Sequence, residues 1–74
     1  MRSKRTMRYD PTSDQWIVEL QGRRYGLNCG ETLNLYIDGE PVPCSVELDR
    51  QKWYFIMKDI RFYLRESDEY MVSI

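Results

Sequence analysis

Residues 32–48 have the sequence TLNLYIDGEPVPCSVEL and carry the strongest structural signal in the chain. Leu33, Leu35 and Ile37 alternate with Asn34 and Tyr36, which is the period of a half-buried β-strand. Asp38-Gly39 follows, a pair that type I′ turns favour because both central residues take positive φ. The sequence therefore predicts a β-hairpin with its tip at this dipeptide.

The return strand of the hairpin keeps the same alternation. Its inward positions are predicted to be Val42, Cys44, Val46 and Leu48. Pro41 and Pro43 occupy the opposite face and have no N–H donor, so they suit an edge or a bulge. We expect this strand to begin as an edge.

Residues on both sides of the central hairpin continue the period of two. Trp16, Val18 and Leu20 share a face, and the turn signal Gln21-Gly22 leads into a return strand over residues 23–27. After a polar turn at residues 49–52, the most apolar strand predicted in the chain spans residues 53–58. This strand is expected to lie at the centre of the sheet.

The C-terminal part fits more than one structure. Residues 60–64 have the apolar spacing of a strand but also fit one side of a helix, and a strand or a short turn is favoured. Residues 66–69 are predicted to form a loop. Tyr70, Val72 and Ile74 then predict a closing strand.

The chain is too short for two domains, and its short strands need one aromatic and aliphatic core. The fold class predicted is all-β, a small single-domain SH3-like barrel of five to six short antiparallel strands, with a five-stranded OB-fold as the alternative. Residues 15–74 are expected to form the barrel and residues 1–14 a basic, flexible segment. The predicted core is Trp16, Leu33, Leu35, Ile37, Val46, Trp53, Phe55, Phe62 and Val72.

Charge is unevenly distributed along the chain. Eleven basic and twelve acidic residues give a net charge of -1, but residues 1–8 hold four bases and no acid, so the remainder is acidic. The basic head is interpreted as a frayed terminus, with a short arm for an anionic partner as the alternative. No apolar run approaches the roughly 18 residues of a membrane-spanning helix, and a cytoplasmic setting is expected.

Several short motifs from residue 22 onward resemble a group of small bacterial domains of unknown function. They are GRRYGLNCGE at 22–31, LNLYIDG at 33–39, Val42-Pro43, Val46-Glu47 and WYF at 53–55. That group is carried mainly by Gram-positive bacteria and their conjugative or phage-like mobile elements. The resemblance implies a small SH3-like domain in the cytoplasm and brings no catalytic residues.

The residue inventory argues against catalysis. There is no His, which removes the commonest general base and metal ligand, and Cys29 and Cys44 are expected to be free thiols. Close carboxylates such as Asp68-Glu69 fall in a predicted loop and are interpreted as solvated. We expect no enzyme activity, no catalytic residues, no metal site and no cofactor.

The outward positions of the strands carry the candidate binding surface. Its members are Tyr36, Tyr54 and Tyr63, with Arg23, Arg24 and Arg61 nearby in sequence. Rings beside guanidinium groups suit Pro-rich peptides and single-stranded nucleic acid, but Tyr also suits the wet face of any strand. Two functions follow, a protein-binding or adaptor module and, as the alternative, an accessory nucleic-acid-binding domain of a mobile element. No membrane partner is expected.

Overall fold

The computed structural model describes residues 4–74, which form eight β-strands and no helix. The strands are β1 (Arg5–Asp10), β2 (Gln15–Leu20), β3 (Arg23–Gly26), β4 (Thr32–Ile37), β5 (Glu40–Asp49), β6 (Lys52–Met57), β7 (Ile60–Tyr63) and β8 (Tyr70–Ser73). The expected all-β class is confirmed, but the expected count of five to six strands is wrong. Two-residue connections such as 21–22, 38–39 and 58–59 use so little chain that eight strands fit.

All the strands belong to one antiparallel sheet in the order β3-β2-β1-β8-β4-β5-β6-β7. We call β1–β3 the first meander and β4–β7 the second meander. The last strand, β8, lies between them and pairs with β1 on one side and β4 on the other. The two meanders are therefore joined through a strand that comes after both in the chain.

The N-terminal boundary differs from the expected one at residue 15. Arg5–Asp10 is β1, an interior strand of the sheet, and Met7 is completely buried. The basic residues made this strand hard to recognise from the sequence. In the structure Arg8 faces outward, where its guanidinium group contacts the Glu19 carboxylate at 2.7 Å. Residues 1–3 of the predicted flexible segment lie outside the described residues.

The predicted central hairpin is confirmed in both its turn and its register. Asp38 and Gly39 have φ of 51° and 81°, and Ile37 pairs with Glu40 across the turn. Both positive angles are those a type I′ turn requires.

The start of β5 also behaves as expected from its prolines. Only residues from Ser45 onward pair with β6, so the first half of β5 pairs with β4 alone and has one open side. Pro41 and Pro43 are opposite Tyr36 and Asn34 in that half. Because no strand lies along the open side, no backbone hydrogen bond is needed there, and the missing N–H groups of the two prolines are tolerated.

The core lies on one face of the sheet, which we call the inner face. It consists of Met7, Trp16, Val18, Leu27, Leu33, Leu35, Cys44, Val46, Trp53, Phe55 and Val72. Two residues predicted for the core are exposed instead: Ile37 is 42% exposed beside the hairpin tip, and Phe62 is 37% exposed on edge strand β7. Both side chains face inward as predicted. They remain exposed because Ile37 is at the end of its strand and Phe62 is on the outermost strand, where fewer residues surround them.

The inner face curves around Tyr70 of β8. Its ring centroid lies 5.6 Å from that of Trp16, 6.3 Å from that of Phe55 and 5.9 Å from that of Phe62. One central side chain therefore contacts strands of both meanders. Within residues 4–74 the outermost strands β3 and β7 do not pair with one another, so the sheet is open and the SH3-like barrel is not confirmed.

Candidate binding surface

Three of the six candidate residues lie together on the outer face of β6 and β7. Tyr54 and Tyr63 are direct cross-strand partners, with ring centroids 5.4 Å apart and planes at 47°. The Arg61 guanidinium carbon lies 4.9 Å from the centroid of the Tyr54 ring. We call Tyr54, Arg61 and Tyr63 the outer cluster.

The register of the β6–β7 hairpin creates this cluster. Met57 pairs with Ile60 across the turn at Lys58-Asp59, so alternate residues on the two strands share a face. Lys58 has a φ of 57°, which allows the chain to reverse in two residues. The outward positions are thereby Tyr54 on β6 and Arg61 and Tyr63 on β7.

Members of the outer cluster differ in how much surface they present. Tyr63 is 53% exposed, whereas Tyr54 is only 7% exposed although it faces outward. Tyr63 and Arg61 cover the Tyr54 ring through an aromatic contact and a cation–π contact. Tyr54 thus forms the base of the cluster, and Tyr63 and Arg61 form its accessible surface.

The cluster also keeps its positive charge. A hydrogen-bonding contact with the Tyr63 side chain is the chief reason that the pKa of Arg61 is raised above its usual value, and the nearby Tyr54 and Tyr63 groups add to it. Arg61 is therefore a cation at neutral pH that lies over the Tyr54 ring and contacts the Tyr63 side chain. Such a planar cation beside a half-exposed ring can contact a carboxylate, a carbonyl or another ring.

Tyr36 lies away from the outer cluster, on β4. Strand β5 separates the two sites, with Pro41 directly opposite Tyr36. The Tyr36 hydroxyl donates a hydrogen bond to Ser73 Oγ at 3.4 Å, and Lys4 Nζ lies 4.8 Å from its ring centroid. The ring is half-buried beneath these contacts.

Arg23 and Arg24 lie on β3, at the opposite end of the sheet. Six strands separate β3 from β7. Arg24 contacts the Asp10 carboxylate at 3.5 Å, so part of its charge is compensated. The structure therefore does not unite the six candidate residues into one surface.

A groove beside the outer cluster was missed in the sequence. It has a volume of about 550 Å³ and is lined by Gln51, Lys52, Trp53, Tyr63, Leu64, Glu66 and Ser67. The loop residues of this groove have the polar composition of a solvated turn, so no local pattern indicates that they face Trp53. Tyr63 belongs to both features and makes the groove continuous with the outer cluster.

Neither cysteine forms a disulfide. Cys29 is exposed, with its Sγ 3.3 Å from Glu47 Oε1, whereas Cys44 is buried in the core. Burial raises the pKa of the Cys44 thiol to about 11, so this group is an unreactive thiol at neutral pH. Across residues 4–74, no group of three or more Cys, Asp or Glu side chains is arranged to hold a metal ion.

The described residues contain no helix with the length and apolar character needed to cross a membrane.

The fold and the outer cluster define a small all-β domain built on one curved sheet. The sequence profile of a domain of unknown function, DUF5348, matches residues 5–74, and the chain belongs to that family. The matched range begins at the first residue of β1, which agrees with the placement of that strand inside the sheet.

A crystal structure of a protein from Ruminococcus gnavus has a similar fold, with a TM-score of 0.76 and 23% sequence identity. The match covers 97% of this chain and 100% of that one. At this identity the similarity concerns the fold alone. No curated protein matches the chain significantly.

Proposed function

We propose that this chain is a non-catalytic protein-binding or adaptor module whose binding surface is the outer cluster and the adjoining groove. The observation that carries the proposal is the position of Arg61 and Tyr63, a cation and a half-exposed ring packed over Tyr54. Arg and Tyr are enriched at the centres of protein interfaces, where a rigid side chain gains contact area at low entropic cost.

Apolar exposure around the cluster supports the same conclusion. Every residue of β7 is exposed, and Ile60 is 64% exposed. Ile60 and Phe62 face the inner side of β7, so this edge strand presents exposed apolar side chains on one face and the ring and cation of the outer cluster on the other. Exposed apolar side chains next to polar groups are a common feature of interaction sites.

The groove suggests the form of the ligand. Its lining combines Trp53, Leu64 and Tyr63 with Lys52 and Glu66 at its polar side. An open groove of mixed character beside a ring and a guanidinium group suits an extended peptide segment more than a compact small molecule. The partner proposed is a protein that contributes such a segment.

Capture of partners from host lysate tests the proposal with a matched pair of variants. Arg61→Ala/Tyr63→Ala removes the accessible part of the outer cluster. Arg23→Ala/Tyr25→Ala makes the same two changes on β3, where Tyr25 is 45% exposed. We expect partner proteins that still bind the β3 variant to be lost from the β7 variant. Equal recovery by the parent and both variants would refute the outer cluster as the binding surface.

The alternative function, an accessory nucleic-acid-binding domain, has weaker support. Arg8 contacts Glu19 and Arg24 contacts Asp10, so two of the basic groups face carboxylates. Backbone-directed nucleic-acid binding relies on cations that neutralise phosphates and weakens steeply with salt. Fluorescence polarisation of single-stranded oligonucleotides at low and moderate salt tests this alternative, which requires a salt-sensitive signal.

We propose a cytoplasmic setting and an association with mobile elements for this domain. The two free thiols support the first, because disulfides are rare in reducing compartments. The motifs at 22–39 and 53–55 support the second through the group that they resemble. Gene neighbourhoods test the association: conjugation or phage genes recurring beside genes for this domain would support it, and random neighbours would refute it.

A further inference from the structure

The outer edge of β7 is free to accept another strand. Leu64 N donates to Trp53 O at 3.0 Å, and Phe62 pairs with Phe55 two residues earlier. Because antiparallel strands direct alternate residues to opposite sides, the N–H and C=O groups of Arg61 and Tyr63 point away from β6. Within residues 4–74, these two residues therefore present unpaired backbone hydrogen-bonding groups at the end of the sheet.

The sequence around this edge is complementary to its own reverse. Residues 58–66 read KDIRFYLRE, and the centre of the segment is Phe62. If a second copy runs antiparallel with its Phe62 opposite this one, each basic residue meets an acidic or aromatic residue and each aliphatic residue meets another. The pairs within the ladder are Arg61 with Tyr63 and Ile60 with Leu64. Beyond its ends, the turn residue Asp59 is on the side of Arg65, and Lys58 is on the side of Glu66.

We propose that the partner of the β7 edge is a second copy of this chain, which adds its own β7 across a two-fold axis through Phe62. In this register Arg61 and Tyr63 of the two copies exchange the backbone hydrogen bonds that neither copy makes alone. The two eight-stranded sheets become one continuous sheet. The inference goes beyond the proposed function, because it concerns an edge rather than the outer face.

Other registers are disfavoured by charge and by the pleat. A shift of one residue places inner-face side chains opposite outer-face ones and misaligns the hydrogen-bonding groups. Two-fold registers displaced in either direction place Arg61 opposite Arg61 or opposite Arg65, and like charges directly across a strand pair are destabilising. The register centred on Phe62 avoids both problems.

The β3 edge does not offer the same match. Its outward backbone groups belong to Arg24 and Gly26, since Leu27 N donates inward to Trp16 O. Two copies of β3 would bring four arginines together, and the Gln15 side chain lies where a β-carbon of Gly26 would be. Charges at an edge are a common means of preventing strand pairing.

The dimer gains contact area from side chains that are now exposed. Ile60 is 64%, Tyr63 53% and Phe62 37% exposed. The Arg65 N–H already donates to the Tyr70 hydroxyl at 2.9 Å, so the new ladder ends at Tyr63 and Asp59 meets Arg65 through side chains alone. A ladder this short buries a small interface, and the dimer should depend on protein concentration.

Sedimentation equilibrium over a range of concentrations tests the dimer, with a charge exchange at two exposed positions. Arg65→Glu or Asp59→Arg alone places like charges together twice per dimer and should raise the dissociation constant about tenfold. The double variant Asp59→Arg/Arg65→Glu should restore the parent value. Ile60→Lys should weaken the dimer, whereas Met71→Lys, at a 43% exposed position on β8, should not.

Three results would overturn the proposal: a monomer at every concentration, a dimer indifferent to the single charge changes, or a double variant as weak as the singles. Assemblies larger than a dimer would indicate head-to-tail pairing of β3 with β7 and would also overturn it. Because the charge exchange leaves Arg61 and Tyr63 in place, failure here is distinct from failure of the partner capture described above.

Discussion

The two meanders contribute to one core but end in edges of opposite character. The β3 edge carries Arg23 and Arg24, and Arg24 contacts a carboxylate of its own meander. The β7 edge carries Ile60 and Phe62 without any such cover. Two edge strands of equal length in one sheet can thus differ in how readily they pair with another strand. Charged side chains disfavour pairing at β3, whereas exposed apolar side chains favour it at β7.

The largest expected effect comes from removing β1 from the first meander. Deletion of residues 1–14, the segment predicted to lie outside the domain, removes a strand that pairs on both sides and the buried Met7. We expect loss of the cooperative unfolding transition in chemical denaturation monitored by circular dichroism. A cooperative transition at the parent midpoint would mean that the second meander and β8 fold without β1.

A substitution in the second meander should be the next most damaging. Phe55 is completely buried on the inner face, so Phe55→Ala should cost about 3 to 5 kcal/mol of unfolding free energy. Tyr54→Ala, its neighbour on the outer face, should cost less because its ring lies outside the core and packs against Tyr63 and Arg61. Urea denaturation of the two variants makes the comparison, and a larger loss for Tyr54→Ala would contradict the assigned faces.

Equivalent turns in the two meanders provide a smaller and more closely matched test. Gly22 and Gly39 have φ of 79° and 81°, and a β-carbon would meet no atom within 4 Å at either. Gly22→Val and Gly39→Val should each cost about 1 to 2 kcal/mol through backbone strain alone. Thermal melts measure the unfolding midpoint of each variant. A lower midpoint for only one of them would show that the two turns do not contribute equally to stability.

The smallest expected effect is a change in one titration in the first meander. A hydrogen bond to Asp14 is the main cause that raises the pKa of Tyr9 from 10.0 to about 12, with smaller contributions from burial and nearby carboxylates. Because the folded pKa lies above the unfolded one, this contact stabilises the fold below pH 10 and is lost as the pH rises towards 12.

Ultraviolet absorbance of tyrosinate should therefore show one tyrosine that ionises late, and Asp14→Ala should return it to the ordinary range. An unaltered late titration in Asp14→Ala would contradict the assignment to Tyr9.

Local patterns predicted the second meander better than the first, although β6, expected at the centre of the sheet, lies next to its outermost strand. Alternation and the Asp38-Gly39 pair specify both the strands and the register of β4 and β5. Strand β1 was missed because Arg5 and Arg8 make its sequence resemble a solvated terminus, although Met7 and Tyr9 alternate with Thr6 and Arg8. The closing strand was predicted, but its place between β1 and β4 depends on pairing between distant residues, which leaves no local signal.

The relative positions of the candidate residues were predicted in part for the same reason. Parity along neighbouring strands brought Tyr54, Arg61 and Tyr63 to one face, since a tight hairpin fixes their relation. Tyr36, Arg23 and Arg24 were grouped with them by residue type, and strand order then separated them. The burial of Tyr54 depends on how Arg61 and Tyr63 lie over it, which a sequence pattern does not contain.

The position of β8 sets an order of assembly. Among the described residues, no strand of the first meander pairs with a strand of the second, so each hairpin can form during synthesis while the sheet is still in two parts. The parts acquire a common backbone ladder only when Tyr70–Ser73 enters between them and Arg5 meets Val72. Because that contact joins residues far apart in sequence, its loop-closure entropy is paid late, and insertion of β8 should limit the rate of folding.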